Sequence, residues 1–237
     1  MKSVWLIDAG NTRLKLRETR NNQIKRSIIL LWSQVNSDFL QTIKGDQAIY
    51  SKVVNANKLS QLLACFEQVI EITDAVIKKE FGFCTEYKNP QQLGVDRLLA
   101  ALGARLLFKN QTKIAVINAG TATTVEIIEN NTHMGGMIIA GNQLMLNALA
   151  DADQLPKLQV QTSINLGTDS FSCMQTGLAF MNHGLVLALL KAYKVKNIVV
   201  CGGNSPQFVN LDESISLIPD LIMQALQLCS QKIDLIN

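Results

Sequence analysis

The chain has 237 residues, of which 48% are hydrophobic and 17% charged, so it has enough apolar material for two folded lobes and no disordered tail. The net charge of +3 is small, and the most basic stretch, residues 13–26, contains no aromatic residue, which argues against a nucleic-acid partner. No apolar run approaches the roughly 18 residues that span a bilayer, and the first residues do not form a signal peptide. We therefore predict a cytoplasmic protein with no membrane and no nucleic acid as partners.

The first half of the chain begins with a strand that stops at a glycine turn. Residues 4–7 are apolar, Asp8–Thr12 form the turn, and residues 13–17 alternate polar with apolar side chains, the period of a half-buried strand. This pattern predicts a β-hairpin, because a Rossmann or Walker loop would be followed by a helix. The other predicted elements are strands at 24–31 and 48–54 and helices at 40–43, 57–68 and 93–108.

The second half repeats this plan. Strands are predicted at 114–118, 123–129 and 134–139, joined by tight turns into a meander. The remaining predicted elements are a helix from 142, an irregular stretch at 151–167, a helix at 169–193, a strand at 198–201 and a helix at 220–231. We therefore predict an α/β fold of two duplicated lobes, residues 1–112 and 113–237, each a mixed sheet flanked by helices.

The glycine turn itself occurs twice. Ile7–Thr12 reads IDAGNT, and 110 positions later Ile117–Ala122 reads INAGTA. Glycine lets the backbone approach an anion, and the following N–H groups with Thr or Asn side chains supply donors, so both turns are candidate phosphate sites. Asp8 would repel phosphate unless Mg²⁺ lay between them, so we predict Asp8 as a Mg²⁺ ligand, directly or through water. An ordinary Asp-Ala-Gly-Asn turn is the alternative for either copy alone.

A second candidate site lies at the start of the predicted helix at 93–108. Asp96 and Arg97 fall in its first turn, where backbone N–H groups and the helix dipole favour negative ligands. A phosphotransferase acting on an alcohol needs a base for the hydroxyl proton and a cation for the transferring charge, and this pair could supply both. The alternative from spacing alone is an Asp that caps the helix beside an Arg in solvent.

Five groups of residues together resemble the type III pantothenate kinases over nearly the full chain. In order they are Asp8-x-Gly10-Asn11-Thr12, Tyr87-x-Asn89-Pro90 leading to Gly94-Val95-Asp96-Arg97, Gly120-Thr121-Ala122-Thr123-Thr124, Gly135-Gly136 with Gly141, and Gly202-Gly203. The resemblance implies an actin-like fold of two ribonuclease H-like lobes, which agrees with the internal repeat. It also implies ATP-dependent phosphorylation of pantothenate, the first step of coenzyme A synthesis, by a homodimer with its substrate site near the subunit interface.

The resemblance carries particular roles onto matching positions. The first phosphate segment corresponds to Asp8, Ala9, Gly10, Asn11, Thr12, Arg13, Leu14 and Lys15, with Thr121 as a nucleotide contact in the second segment. Asp96 matches the family's proton acceptor. The pantothenate contacts correspond to Tyr87, Gly94, Val95, Asp96, Arg97 and Ser170, where Ser170 replaces the usual Thr and keeps its hydroxyl.

One position departs from the family pattern. Asn118 stands where many members have an Asp associated with a monovalent cation such as K⁺ or NH₄⁺, and an amide offers one neutral oxygen in place of a carboxylate. We therefore predict that this protein is active without either cation. Glu126 alternates with Thr124 and could return a carboxylate to that sheet face, but we predict a solvent-facing Glu. His133 and His183 are predicted to have no catalytic role.

Two alternatives to the pantothenate assignment stay open at this point. Relatives of this family have been described as transcriptional accessory factors, and a regulatory protein could keep a nucleotide-binding hairpin without turning over pantothenate. Actin-like lobes also host many reactions, so a kinase or phosphatase of another small substrate is possible on fold alone. The segment from Tyr87 to Arg97 is the feature that distinguishes these alternatives from a pantothenate kinase.

Overall fold

The computed structural model describes residues 3–53, 57–153, 159–161 and 163–234, which form an α/β protein. The strands are β1 (Ser3–Ala9), β2 (Arg13–Arg20), β3 (Gln23–Leu31), β4 (Gly45–Lys52), β5 (Phe66–Glu71), β6 (Cys84–Thr85), β7 (Lys113–Ala119), β8 (Ala122–Glu129), β9 (Thr132–Ala140), β10 (Ile198–Cys201) and β11 (Ile215–Leu217). The helices are α1 (Ser37–Gln41), α2 (Asn57–Leu63), α3 (Asp74–Phe81), α4 (Val95–Leu107), α5 (Asn142–Asp153), α6 (Ser170–Ala192) and α7 (Leu221–Asp234). Part of the predicted irregular stretch at 151–167 lies outside the described residues.

The chain divides into two compact units. Leu107–Asp220 forms the second unit, and the residues before and after it form the first. The predicted lobes 1–112 and 113–237 differ from this division chiefly in the last helix, because α7 packs against β1 and β4 of the first sheet. A Cβ atom added at Gly103 of α4 would lie 3.0 Å from Leu221 and 3.1 Å from Ala225, so glycine allows α4 and α7 to approach closely.

The first unit contains a five-stranded mixed sheet in the order β3-β2-β1-β4-β5. β1, β2 and β3 form an antiparallel meander, whereas β4 runs parallel to β1 and β5 parallel to β4. Alternate side chains of the hairpin, among them Trp5, Ile7 and Leu14, are buried in one core cluster. The predicted hairpin is therefore confirmed. The predicted helix at 57–68 is wrong beyond Leu63, because Phe66–Glu71 extends the sheet as β5.

The second unit repeats this sheet strand by strand. Its own five strands lie in the order β9-β8-β7-β10-β11, again with an antiparallel meander followed by two parallel neighbours. The core contains Ile117, Val125, Val200 and Phe208. The predicted meander and the strand at Ile198–Cys201 are confirmed, so the sequence repeat corresponds to a repeated topology.

The long helix α6 has the length and composition to cross a bilayer, with a mean hydropathy of 1.3 over 18 residues. No apolar run of that length was predicted, and α6 has this hydropathy although polar residues such as Gln175 and Asn182 lie within it. Both of these polar residues are buried, and Val186 and Leu189 pack into the core of the second unit. These are the contacts of a core helix in a folded unit.

Candidate active site

The first hairpin, Asp8–Lys15, holds a buried carboxylate at its base. In the register of β1 and β2, Asp8 lies opposite Lys15, and Lys15 Nζ is 3.2 Å from Asp8 Oδ2. The turn is closed by the N–H of Gly10, which donates to the Arg13 carbonyl over 3.1 Å. Asn11, Thr12 and Arg13 are exposed, as the prediction of a phosphate turn requires, whereas the Ala9 and Leu14 side chains are buried in the core.

Asp8 has the surroundings that a Mg²⁺ ligand needs. Ser51 lies beside it in the parallel register of β4, and the buried Ser51 hydroxyl makes no hydrogen bond within the described part of the chain. No three His, Cys, Asp or Glu side chains converge there or elsewhere among the described residues. One carboxylate and one hydroxyl fit Mg²⁺, which takes one or two protein carboxylates and completes its shell with phosphate oxygens and water. The sequence analysis missed Ser51, whose only signal was its place at a strand end.

Asp96 lies in the first turn of α4, where its carboxyl group is half-buried. Burial raises the pKa of Asp96 above its ordinary value; a hydrogen bond from the Arg97 backbone lowers it, and the negative charge of Asp8 raises it. Because the negative charge of Asp8 raises the pKa of Asp96, the two carboxylates lie within electrostatic range of each other. Asp96 also folds back over Gly94, since a Cβ atom at Gly94 would lie 2.5 Å from Asp96 Oδ1.

Arg97 is buried, with only 6% of its surface exposed. Its Nη1 donates to the Tyr87 hydroxyl over 3.2 Å, and its guanidinium carbon lies 5.6 Å from the centre of the Tyr87 ring. Stacking of this kind fixes a guanidinium in one orientation. The alternative of an Arg in solvent is therefore wrong, and the structure brings Tyr87 into contact with Arg97, the residue that follows Asp96.

The second hairpin, Asn118–Thr124, is one residue shorter and uncharged. Asn118 lies opposite Thr124, and the N–H of Gly120 donates to the Ala122 carbonyl over 3.1 Å. Gly202 packs against its base with φ of +88°, and a Cβ atom at Gly202 would lie 2.6 Å from Asn118 Oδ1. The predicted nucleotide contact, Thr121, is exposed at the tip of this turn.

The last predicted substrate contact, Ser170, is the exposed first residue of α6. Asp169 caps that helix by accepting a hydrogen bond from the Ser172 N–H over 2.9 Å. The predicted residues therefore lie in both units: Asp8–Lys15, Tyr87 and the Gly94–Arg97 segment belong to the first, and Asn118, Thr121 and Ser170 to the second.

One prediction near the second hairpin is wrong. Glu126 is fully buried, and its Oε2 lies 2.9 Å from Nε2 of the equally buried His133. Residues 125–128 of β8 are all buried, so both faces of this strand are covered at Glu126, where a solvent-facing side was predicted. His133 is an interior residue of β9, and its imidazole has Glu126 as a partner.

Comparison with known proteins decides the family. The profile described as type III pantothenate kinase matches residues 4–192. The chain belongs to the type III pantothenate kinase family. The type III pantothenate kinase of Acinetobacter baylyi is 26% identical over 96% of this chain and 97% of that protein, and that of Pelagibacter ubique is 28% identical over 92% and 95%. The chain is therefore a kinase, and membership of a kinase family implies ATP and a divalent metal ion.

Solved structures agree on the fold. A Campylobacter jejuni protein described as a Baf family transcriptional activator is similar with a TM-score of 0.66 and 20% identity, over 97% of this chain and 98% of that one. Component A of (R)-2-hydroxyglutaryl-CoA dehydratase from Acidaminococcus fermentans is similar with a TM-score of 0.52 and 12% identity, over 98% and 100%. At these identities the likeness concerns the fold alone, which confirms the predicted actin-like architecture of this pantothenate kinase family member.

Proposed function

We propose that this protein transfers the γ-phosphoryl group of ATP to the primary alcohol of pantothenate and releases 4′-phosphopantothenate. The observation that carries the proposal is the arrangement of Asp96, Asp8 and Arg97 in the first unit. It combines a carboxylate of raised pKa, a metal-side carboxylate and a fixed cation, which are the groups that an alcohol phosphotransferase requires.

Asp96 is the proposed general base. A carboxylate whose pKa is raised accepts a proton more readily than an ordinary Asp does. It would take the hydroxyl proton as the oxygen–phosphorus bond forms and the bond to the ADP leaving group breaks. Gly94 leaves the space into which the carboxylate folds, so the segment Gly94–Arg97 positions the base as well as the substrate.

Tyr87, Arg97 and Ser170 are the proposed pantothenate contacts, together with the Gly94–Val95 backbone. Pantothenate carries a carboxylate, and the buried guanidinium of Arg97 is a suitable partner because it is always charged and is held by Tyr87. Ser170 offers an exposed hydroxyl at a helix start, where donors face outward.

The nucleotide is proposed to bind at the exposed turn of the first hairpin, with Thr121 as a contact in the second. When bound, Mg²⁺ would neutralise charge on the phosphates, and Asp8 would hold it, with Ser51 in position to bind one of its waters. Lys15, which pairs with Asp8, keeps a positive charge at the base of the same turn.

We further propose that the enzyme is a cytoplasmic homodimer. Large apolar side chains are exposed in the second unit, including Phe180 at 60% and Met181 at 54% on α6 and Ile138 at 63% on β9. Phe180 and Met181 are adjacent on one helix, and adjacent exposed apolar side chains suit a subunit interface better than single scattered ones do. Analytical ultracentrifugation should give twice the mass of the chain, and a monomer at micromolar concentration would contradict this assembly.

Incubation with Mg²⁺-ATP and pantothenate, followed by mass detection of phosphopantothenate, tests the function. Product should form with pantothenate and stay absent with substrates that lack its primary alcohol. ATP turnover with another small alcohol, and none with pantothenate, would identify a kinase of different specificity. Nucleotide binding without any turnover would instead favour a regulatory protein.

A further inference from the structure

A tryptophan that is not part of the first hairpin forms a hydrogen bond with its turn. Trp32 Nε1 donates a hydrogen bond of 2.8 Å to the Gly10 carbonyl, although Trp32 follows β3 and lies 22 positions further along the chain. Neither sequence pattern nor family motif marked Trp32. The bond therefore adds a contact to the candidate phosphate turn that none of the predicted site residues makes.

The direction of this bond fixes the peptide that follows Gly10. In a trans peptide the C=O and the next N–H point in opposite directions, and no cis peptide occurs among the described residues. With the Gly10 carbonyl turned toward the indole of Trp32, the N–H of Asn11 points away from it, and Asn11 is exposed. An outward N–H at a glycine turn is the group that binds a phosphate oxygen.

The preceding peptide of the turn, Ala9–Gly10, is held at both its carbonyl and its N–H. The Gly10 N–H is bonded to the Arg13 carbonyl, and the Ala9 carbonyl accepts from the Val53 N–H over 3.1 Å. Trp32 is itself anchored, because Lys58 Nζ donates to its carbonyl over 2.6 Å and its ring packs against the core of the first unit. Without the indole bond, the Gly10–Asn11 peptide loses the hydrogen bond that fixes the direction of its carbonyl.

The same arrangement recurs in the second hairpin with a different donor. Asn204 Nδ2 donates to the Gly120 carbonyl over 3.1 Å, and the Asn204 N–H donates to the Ala119 carbonyl over 2.9 Å. Two turns that share a fold but not their outer partners thus have the glycine carbonyl held in the same way. This recurrence indicates that the orientation of the peptide, rather than either donor residue, is what the hairpins require.

We propose that Trp32 is a positioning residue for nucleotide phosphates, acting through the Gly10–Asn11 peptide. The proposal rests on the proposed function, since it assumes that ATP binds at this turn. In this proposal the Asn11 N–H contacts the phosphates of ATP and not the alcohol of pantothenate. Loss of its orientation should therefore weaken ATP binding and leave the pantothenate site unchanged.

Trp32→Phe tests the proposal, because it keeps an aromatic ring and removes the N–H donor. The expected result is an increase in KM for ATP of about three- to tenfold, the effect of one hydrogen bond, with KM for pantothenate unchanged. Trp5→Phe is the matched control: it removes the other indole N–H, which donates to the Lys44 carbonyl over 3.1 Å in the core. It should lower the melting temperature and leave KM for ATP as it was.

Nuclear magnetic resonance of the indole N–H groups supplies a measurement that does not depend on either variant folding. The full chain has two tryptophans, so two indole signals are expected. Titration with Mg²⁺ and a non-hydrolysable ATP analogue should shift the Trp32 signal and leave that of Trp5 in place. A Trp32 signal that does not move, together with an unchanged KM for ATP in Trp32→Phe, would overturn the positioning role.

These outcomes separate the inference from the proposed function. A shift of the Trp32 signal in a protein that does not phosphorylate pantothenate supports the positioning role and rejects the substrate. Phosphorylation of pantothenate with no response from Trp32 rejects the positioning role and supports the substrate. A chain that binds no nucleotide would overturn both.

Discussion

The two hairpins have similar backbone structures, but the side chains at their bases differ in charge. Asp8 and Lys15 form an ion pair across the base of the first, whereas the matching positions of the second hold Asn118 and Thr124, which are neutral. The second turn is also one residue shorter than the first. Equivalent residues are therefore 110 positions apart before the turn, as in Asp8 and Asn118, and 109 positions apart after it, as in Lys15 and Thr124. Both units therefore keep the glycine turn, whereas the charged pair at its base is present in the first hairpin and absent from the second.

Buried charges also differ between the units. At equivalent strand positions the first hairpin buries Arg17, opposite Leu6, and the second buries Glu126, opposite Val116. Glu126 is paired with His133, which occupies the third strand of the same meander. Equivalent positions therefore hold a buried basic side chain in one unit and a buried acidic side chain in the other, and the acidic one has its partner on a neighbouring strand.

If proton transfer belongs to the first unit, then removal of its base should have the largest effect. Asp96→Asn keeps the size of the side chain and removes the proton acceptor, so kcat should fall by about a hundredfold to ten-thousandfold. Steady-state kinetics measures the change, and circular dichroism checks that the fold is intact. Turnover close to that of the unaltered enzyme in a folded variant would show that Asp96 is not the base.

The buried pair of the second unit should matter for stability and not for proton transfer. Glu126→Ala leaves His133 buried without its carboxylate, and the free energy of unfolding should fall by about 3 to 5 kcal/mol. Glu129→Ala on the same strand is the control, because it removes a partly exposed ion pair with Lys113 at 3.0 Å and should cost at most about 1 kcal/mol. Equal costs in urea unfolding would contradict the structural role of the buried pair.

Gly202 tests how tightly the second hairpin is packed. Its φ of +88° is strained for any other residue, and an added Cβ would lie 2.5 Å from the Ala119 carbonyl oxygen, so Gly202→Ala should destabilise the protein by about 2 kcal/mol or more. Gly177→Ala in α6 meets no atom within 4 Å and should stabilise by about 0.5 to 1 kcal/mol. Thermal unfolding of both variants distinguishes local strain from a general sensitivity to added methyl groups.

The negative charge of Asp8 in the first hairpin should influence the pH dependence of kcat/KM. Asp96 must be deprotonated to act as base, so kcat/KM should rise with pH through its raised pKa. Asp8→Asn removes a charge that raises this pKa, and the acid limb of the residual activity should therefore move to lower pH. An acid limb that stays in place would mean that Asp8 does not influence the group that titrates.

The smallest effect is expected when monovalent cations are removed, because the second hairpin is neutral. Because Asn118 offers an amide oxygen where many relatives have a carboxylate, replacing K⁺ and NH₄⁺ in the buffer with a large organic cation should leave the rate unchanged. Asn118→Asp, measured in the same two buffers, shows whether a carboxylate restores a dependence on K⁺. A strict requirement of the unaltered enzyme for either ion would reject the prediction.

Much of this fold could be predicted because its signals are local. The hairpins follow from apolar alternation around a glycine, and α4 from the spacing of its leucines. The strand at Phe66–Glu71 was missed, because the three residues after the buried Phe66 are all exposed and no polar–apolar alternation marks this edge strand. Of the candidate site, the motif residues Asp8, Asp96 and Arg97 were found, whereas Ser51 and Trp32 carry no motif.

The sequence by itself determined the repeat, the two glycine turns and the helix start that presents Asp96, since each depends on residues close together in the chain. Only the tertiary structure decided that α7 packs on the first sheet, that Glu126 is buried against His133, and that Trp32 orients the Gly10 peptide. The physical reason is that periodicity reports which face of an element is apolar, whereas the partner of a buried polar group is chosen by strands and helices distant in sequence.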